Sequence, residues 1–146
     1  LVKILEPGIN APNSGNLQCC KFIVVNNEDI KEKLTKASLD QRWMMQAPLF
    51  VIICSDLNKL KTYYEAKYKL YAIQDTSLAA ENIMLMAHSL KIKSCFISAF
   101  DEKAVNRILR LPDGVEPYCV ITLGYSNDKK TSKRNSLKYS LSLNGY

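Results

Sequence analysis

Apolar side chains along this 146-residue chain change period several times, and the changes predict alternating strands and helices. Residues 22–25 (FIVV) are a short β-branched run. Asn27 is placed to cap the helix that follows, with Glu28 and Asp29 in its first turn toward the positive end of the dipole. That helical pattern runs to Met45 and is broken at Ala47-Pro48. Residues 49–54 (LFVIIC) are uninterrupted apolar, the pattern of a strand covered on both faces. Residues 57–71 interleave Lys with aromatic and aliphatic positions and predict an amphipathic surface segment. Residues 72–90 place Ile73, Ala80, Ile83, Ala87 and Leu90 on one helical face and Leu78, Leu85 and Met86 on others. A helix apolar nearly all round belongs in a core or a subunit interface. Residues 94–98 predict a third strand, Asp101 caps a helix over 102–111 that Pro112-Asp113-Gly114 stops, and 118–124 predict a fourth strand. Leu137, Tyr139, Leu141 and Leu143 alternate with polar residues, which predicts a half-buried strand in need of a sheet edge. The chain opens inside a helical pattern, which Pro7 is expected to start or kink.

Composition narrows the class. With 47% hydrophobic and 23% charged residues and only five Gly and five Pro, the chain is neither collagenous, coiled-coil nor disordered, and its length predicts one domain. A chain of this size buries roughly 68–70% of its unfolded surface, so no disulfide or structural metal is needed. The net charge of +6 is uneven: residues 126–146 carry five Lys or Arg against Asp128 alone. This concentration points to a local anion site or a solvated tail, not to a basic nucleic-acid-binding domain. The five cysteines, at 19, 20, 54, 95 and 119, form no CxxC pair and have no His at ligand spacing, which removes zinc and iron–sulfur readings. Cys54, Cys95 and Cys119 read as small hydrophobes within apolar runs, and an odd count without a signal segment predicts a reducing compartment, the cytoplasm. The longest apolar run, residues 47–54, is far short of the ~20 residues of a membrane helix, so no membrane contact is expected.

Side-chain chemistry is sparse. His88, the single histidine, reads as a hydrogen-bonded core or interface residue. Asp75 and Glu81 lie six apart and form no acid pair, and Asp101 and Glu102 are explained by capping. No Walker loop, GxGxxG or HExxH occurs, so an enzyme here must take its chemistry from a cofactor. The densest polar loop, residues 11–18 (APNSGNLQ), either offers amides and a hydroxyl to a planar polar ligand or simply turns the chain from helix to strand.

These residues carry a resemblance. A helix entering APNSGNLQ and then KFIVV resembles the A-P-S-x-x-N-x-Q-P-W signature of the FMN-dependent nitroreductase family. Further blocks follow in the family order: residues 41–48 (QRWMMQAP), 71–75 (YAIQD), 94–105 (SCFISAFDEKAV), 111–115 (LPDGV) and 123–125 (LGY). The likeness spans residues 2 to about 138, and six blocks in one order make it specific.

The resemblance implies an α+β fold, with a mixed or antiparallel sheet flanked by helices, forming an intertwined homodimer with FMN at each subunit interface. The apolar helix over 72–90 would then meet its twin, and the strand over 137–143 would pair with the partner's sheet. By position, Pro12, Asn13, Ser14 and Asn16 match the loop against the isoalloxazine and ribityl chain. Ser98 and Ala99 match the pair beside flavin N5 and O4, and Lys133 and Arg134 match the basic residues that hold the 5′-phosphate. The implied activity is NAD(P)H-driven reduction of nitroaromatic, quinone or similar acceptors by ping-pong hydride transfer, with no catalytic side chain and no metal. A turnover-deficient flavin-binding homologue, or a dehalogenating or flavin-fragmenting relative, is the alternative. Tyr63, Tyr64, Tyr68 and Tyr71 fall in the variable region that covers the flavin in the family, where they would either stack on a substrate or lie on a surface helix. Three departures stand out. The family's Arg-x-Ser-x-Arg segment would precede residue 1, Cys19-Cys20 stands where Pro-Trp is usual, and Asp40 stands where an amide is commoner.

Overall fold

Strand β2 (Leu49–Asp56) organises the molecule, because Phe50 to Ser55 are shielded from solvent on both faces. The structure, a computed structural model, describes residues 1–128 and 132–145. Around β2 lies a four-stranded sheet that is antiparallel throughout, in the order β1 (Cys20–Val25), β2, β4 (Val115–Gly124), β3 (Lys93–Ile97). Helices α1 (Val2–Ile9) and α4 (Tyr68–Ser89) cover one face, where Ile4, Ile83 and Ala87 meet Val51, Ile53 and Ile121. Helices α2 (Glu28–Ala37) and α5 (Glu102–Leu109), with a 3-10 turn at Arg42–Gln46, cover the other, where Leu34, Met44 and Val105 meet Phe50, Ile52 and Val120. This is the expected α+β sandwich, and it explains why β2 lacks polar alternation although it is antiparallel. Helix α3 (Leu57–Tyr63) follows β2 directly and packs on α4.

The predicted caps form: the Asn27 side chain accepts from the Ile30 N–H and the Asp101 side chain from the Ala104 N–H, both at 3.0 Å. Helix α2, however, ends at Ala37 and does not reach Met45. Leu39 (φ 57°) and Asp40 (φ 51°) are left-handed, which reverses the chain before the 3-10 turn. Asp40 turns outward and pairs with Arg42 at 2.7 Å. Residues 57–71 are not one helix, since α3 stops at Tyr63 and α4 starts at Tyr68. Pro7 lies inside α1, and its carbonyl accepts from Asn82 Nδ2 of α4 at 3.0 Å.

Three further expectations depend on surroundings that the single chain does not supply in full. His88 faces solvent near the C-terminal end of α4 and is not a core residue in the single chain. Cys95 lies on edge strand β3 and is exposed, unlike Cys54 and Cys119. Residues 137–143 form no strand. A 3-10 turn occupies Leu137–Tyr139, and Leu141 and Leu143 are exposed, because neither edge of this chain's own sheet takes the segment up. Lys129 and Lys130, counted in the basic tail, lie outside the described residues.

Strand β4 holds Pro117, which has no N–H to give to a ladder. It is tolerated because the register slips there: Ile53 pairs with Cys119 and Cys54 with Pro117, leaving Tyr118 as the extra residue of a bulge. The bulge lies just past the end of the β3–β4 pairing at Ile97–Val120, where β3 leaves the sheet toward Ser98.

Burial pushes the Cys54 and Cys119 thiols from an ordinary 9.0 up to about 12. Both stay protonated in the fold while the unfolded chain ionises, so this part of the stability is full below about pH 9 and is lost as the pH climbs toward 12. We expect the unfolding free energy in urea to fall by about 1.4 kcal/mol per thiol for each pH unit within that window. A Cys54→Ala/Cys119→Ala double variant should flatten the slope; an unchanged slope would remove these thiols as its cause.

Candidate functional site

The loop between α1 and β1 is built under constraint from four directions. Ser14 opens a 3-10 turn, Ser14–Asn16, in which Gly15 (φ 54°) and Asn16 (φ 53°) are left-handed, and Gln18 (φ 56°) follows. Asn and Gln in that region each cost on the order of 1 kcal/mol and persist only where neighbours over-determine the backbone. Asn13 closes the loop on itself: its Oδ1 accepts from the Gln18 N–H at 2.9 Å and its Nδ2 donates to the Ala11 carbonyl at 3.3 Å. From α4, Asp75 Oδ1 accepts both the N–H and the hydroxyl of Ser14 at 2.9 Å each. From α3, Lys59 Nζ donates to the Leu17 carbonyl at 2.6 Å. Tyr64 rests on the bare Cα of Gly15, where a Cβ would come within 2.5 Å of the Tyr64 hydroxyl.

This bracing gives the tyrosine segment a role. Tyr64, Tyr68 and Tyr71 pack with Leu17, Cys19, Leu57 and Leu60 in a small core under the loop, and Tyr64 meets Tyr71 edge-on at 4.7 Å. These three are half-buried against the loop, whereas Tyr63 of α3 is 64% exposed.

Beside the loop, Pro12, Asn13 and Ser14 line a groove of about 570 Å³, with Ile73, Gln74 and Leu78 of α4 as its opposite wall. Around the first turns of α4 lies a second cavity of about 350 Å³, bounded by Ser98, Phe96 and the bulged Tyr118. The two share Ile73 and Ser77, so one face of α4 links the loop to the end of β3. Ile73 and Leu78 are 51% and 45% exposed there, large aliphatic surface set among amides and hydroxyls. A smaller cavity of about 250 Å³ lies behind the loop, between Asn13, Gln18, Cys20 and Phe22. Burial first, then the Asp75 carboxylate, pushes the Cys20 thiol up to about 12, so it is a neutral wall and not a nucleophile. Burial, and after it Glu116, also raises Tyr118 above the ordinary phenol value.

The sequence-predicted residues thus fall into three groups. Pro12, Asn13, Ser14 and Ser98 lie on two adjoining cavities of one helix face. Asn16 and Ala99 are exposed beside them and line neither. Lys133 and Arg134 are exposed in the C-terminal segment, where Arg134 Nη1 donates to the Lys133 carbonyl at 3.3 Å, and no contact brings them to the loop. Asn13 differs from the sequence reading in one respect, since its amide is committed to the loop. Sequence reasoning missed Ile73, Ser77 and Asp75. A carboxylate in the buried row Ala72, Asp75, Thr76, Ala79, Ile83 was the available signal for the last.

A helix-covered antiparallel sheet with an interface-like helix face and a polar loop defines a class that comparison then identifies. The model of the nitroreductase family matches residues 1–42 and 36–125. The chain is 33% identical over 132 residues to a protein of Archaeoglobus fulgidus with the provisional designation NADH dehydrogenase/NAD(P)H nitroreductase, covering 88% of this chain and 73% of that one. A protein of Methanothermobacter thermautotrophicus with the same designation is 30% identical, and the match spans 84% of this chain and 63% of that one. The crystal structure of an FMN-dependent nitroreductase from Clostridium difficile superposes with a TM-score of 0.82 at 26% identity, over 99% of this chain and 86% of that one. The chain belongs to the nitroreductase family.

Gly15→Ala should lower stability by about 1–3 kcal/mol, because it adds a left-handed Ala and forces Tyr64 away. Tyr64→Phe in the same chain should recover part of that loss in a thermal melt. Equal losses with and without the hydroxyl would show that the backbone conformation alone is at stake.

Proposed function

We propose that this chain binds FMN in the groove between residues 12–16 and α4 and works as an NAD(P)H-dependent oxidoreductase on nitroaromatic, quinone or similar small acceptors. The observation that carries the reading is the convergence of the polar loop and Ser98 on one half-exposed aliphatic face of α4, in a chain of the nitroreductase family.

The residues suit a flavin ring and its sugar chain. Pro12, Ile73 and Leu78 offer apolar walls to a planar ring, and Phe96 lies at the far end, beside Ser98. The Ser14 hydroxyl donates its hydrogen bond to Asp75 and so presents lone pairs to a ligand hydroxyl, while the Asn16 amide is exposed at the rim. A phosphate needs cations, and the groove lining has no Lys or Arg. Lys133 and Arg134 are the proposed source, a guanidinium fork being well matched to a dianion. Bound there, FMN would supply a two-electron carrier between NAD(P)H and the acceptor. The chain's part is to orient and to exclude water, and no acid or base side chain is assigned.

A homodimer is part of the proposal. Ile73, Leu78 and Leu85 lie exposed on α4, and Leu137, Tyr139, Leu141 and Leu143 are uncovered, more apolar surface than a lone domain usually leaves in water. A reducing cytoplasm suits five free cysteines, and among the described residues no helix is long and apolar enough to cross a membrane.

The test is a fluorescence titration of the purified protein with FMN, followed by NADH and NADPH oxidation with a quinone acceptor. Saturable FMN binding with turnover is expected. Absent binding overturns the reading, and binding without oxidation moves it to the turnover-deficient alternative. Arg134→Ala should weaken FMN affinity about tenfold while Lys129→Ala changes it less than about threefold; equal effects would make the tail a solvated charge run.

A further inference from the structure

Asp75 enters the reading above only as the acceptor for Ser14, yet it is the least ordinary side chain near the groove. It is 3% exposed and forms no ion pair among the described residues. Its Oδ1 takes both Ser14 donors, and its Oδ2 is buried without a hydrogen-bond partner. A carboxylate buried with half its acceptor capacity unmet is costly, and a neutral side chain could accept from Ser14 at less expense. Helix stability therefore does not account for an acid here. The carboxylate's position does distinguish it: it lines the same groove as Pro12, Ser14, Ile73 and Leu78, from the 22-residue helix α4 beside the loop. Ser14 is also the residue from which the left-handed Gly15 and Asn16 depart, so whatever holds Ser14 aims the whole turn.

Resting on the FMN reading, we propose that Asp75 is a positioning residue for the cofactor. Its Oδ1 locks Ser14 and the 12–16 loop in the conformation that meets the flavin, and its unpaired charge behind the groove holds the bound flavin at a more negative midpoint potential. The potential follows from electrostatics, because a fixed negative charge close by disfavours adding electrons. A purely structural contact would not move it.

The experiment uses the full chain with FMN. Dissociation constants come from flavin fluorescence and midpoint potentials from spectroelectrochemical titration, for Asp75→Asn, Asp75→Ala, Ser14→Ala and the Ser14→Ala/Asp75→Ala pair. Asp75→Asn keeps an oxygen acceptor for Ser14, so affinity should stay within about threefold while the potential moves positive. Ser14→Ala should weaken FMN about tenfold and leave the potential in place. The double variant should lose less than the product of the two single losses, since one link is common to both changes. The inference is overturned if Asp75→Asn leaves the potential unmoved, or if the Ser14 and Asp75 losses multiply as independent effects. Should Asp75→Ala fail to fold, Asp75→Asn and Ser14→Ala decide the matter by themselves. Wild-type protein that takes up no FMN removes the functional reading and this inference together. Wild-type uptake with unaffected variants removes the inference alone.

Discussion

Two-sided burial of β2 is the constraint on which the other elements depend. A strand with Phe50, Ile52 and Cys54 on one side and Val51 and Ile53 on the other cannot face water on either, so helices must come from both directions. α1 and α4 meet one surface and α2 and α5 the other. The buried row of α4 is consequently narrow and made mostly of small residues, Ala72, Ala79, Ala80 and Ala87, which lets the helix lie close on the sheet. Its larger side chains, Ile73, Leu78 and Leu85, are left pointing outward. The exposed aliphatic face is thus a by-product of how the core is filled, and it is the same face that borders the groove.

The site lies where regular structure runs out. At the end of β3 the sheet loses a strand and β4 carries its bulge, which frees Tyr118 and Ser98 from ladder constraints. The facing loop holds three left-handed residues, and it stays in that state because Asp75, Lys59, Tyr64 and its own Asn13 all act on it. Strain is distributed across elements from residue 13 to residue 75. A flat ring bound there as proposed would meet a preformed edge, and less of the interaction energy would be spent ordering the loop.

Much of this was legible in the residues. The strands were placed by β-branched and uninterrupted apolar runs, and Asn27 and Asp101 located two helix starts within a residue. The loop over 11–18 stood out by polar density. What misled the reading were positions where local pattern and tertiary context part. Residues 38–45 look helical, yet Leu39 and Asp40 turn left-handed so that Met44 can enter the core beside Leu34. Residues 137–143 alternate as a strand does but have no edge in their own chain to pair with. The tyrosines read equally as ligand-stacking or surface-helix residues, and their packing under the loop was not legible, because sequence spacing does not reveal that Gly15 sits above Tyr64.

By itself, then, the sequence determined the type and order of the elements and the two caps, since hydrophobic period and capping chemistry act over a few residues. It also carried the family resemblance, which rests on ordered blocks and not on any one contact. Tertiary structure alone decided which residues come together as the candidate site. Ser14 and Asp75 are 61 positions apart, and their hydrogen bonds form only once α4 is laid across the sheet. The pairing of Ser98 with Ile73 and Ser77 around one cavity has the same origin. Contacts of that span are set by packing on a common core, and nothing in the local pattern of either segment encodes the other.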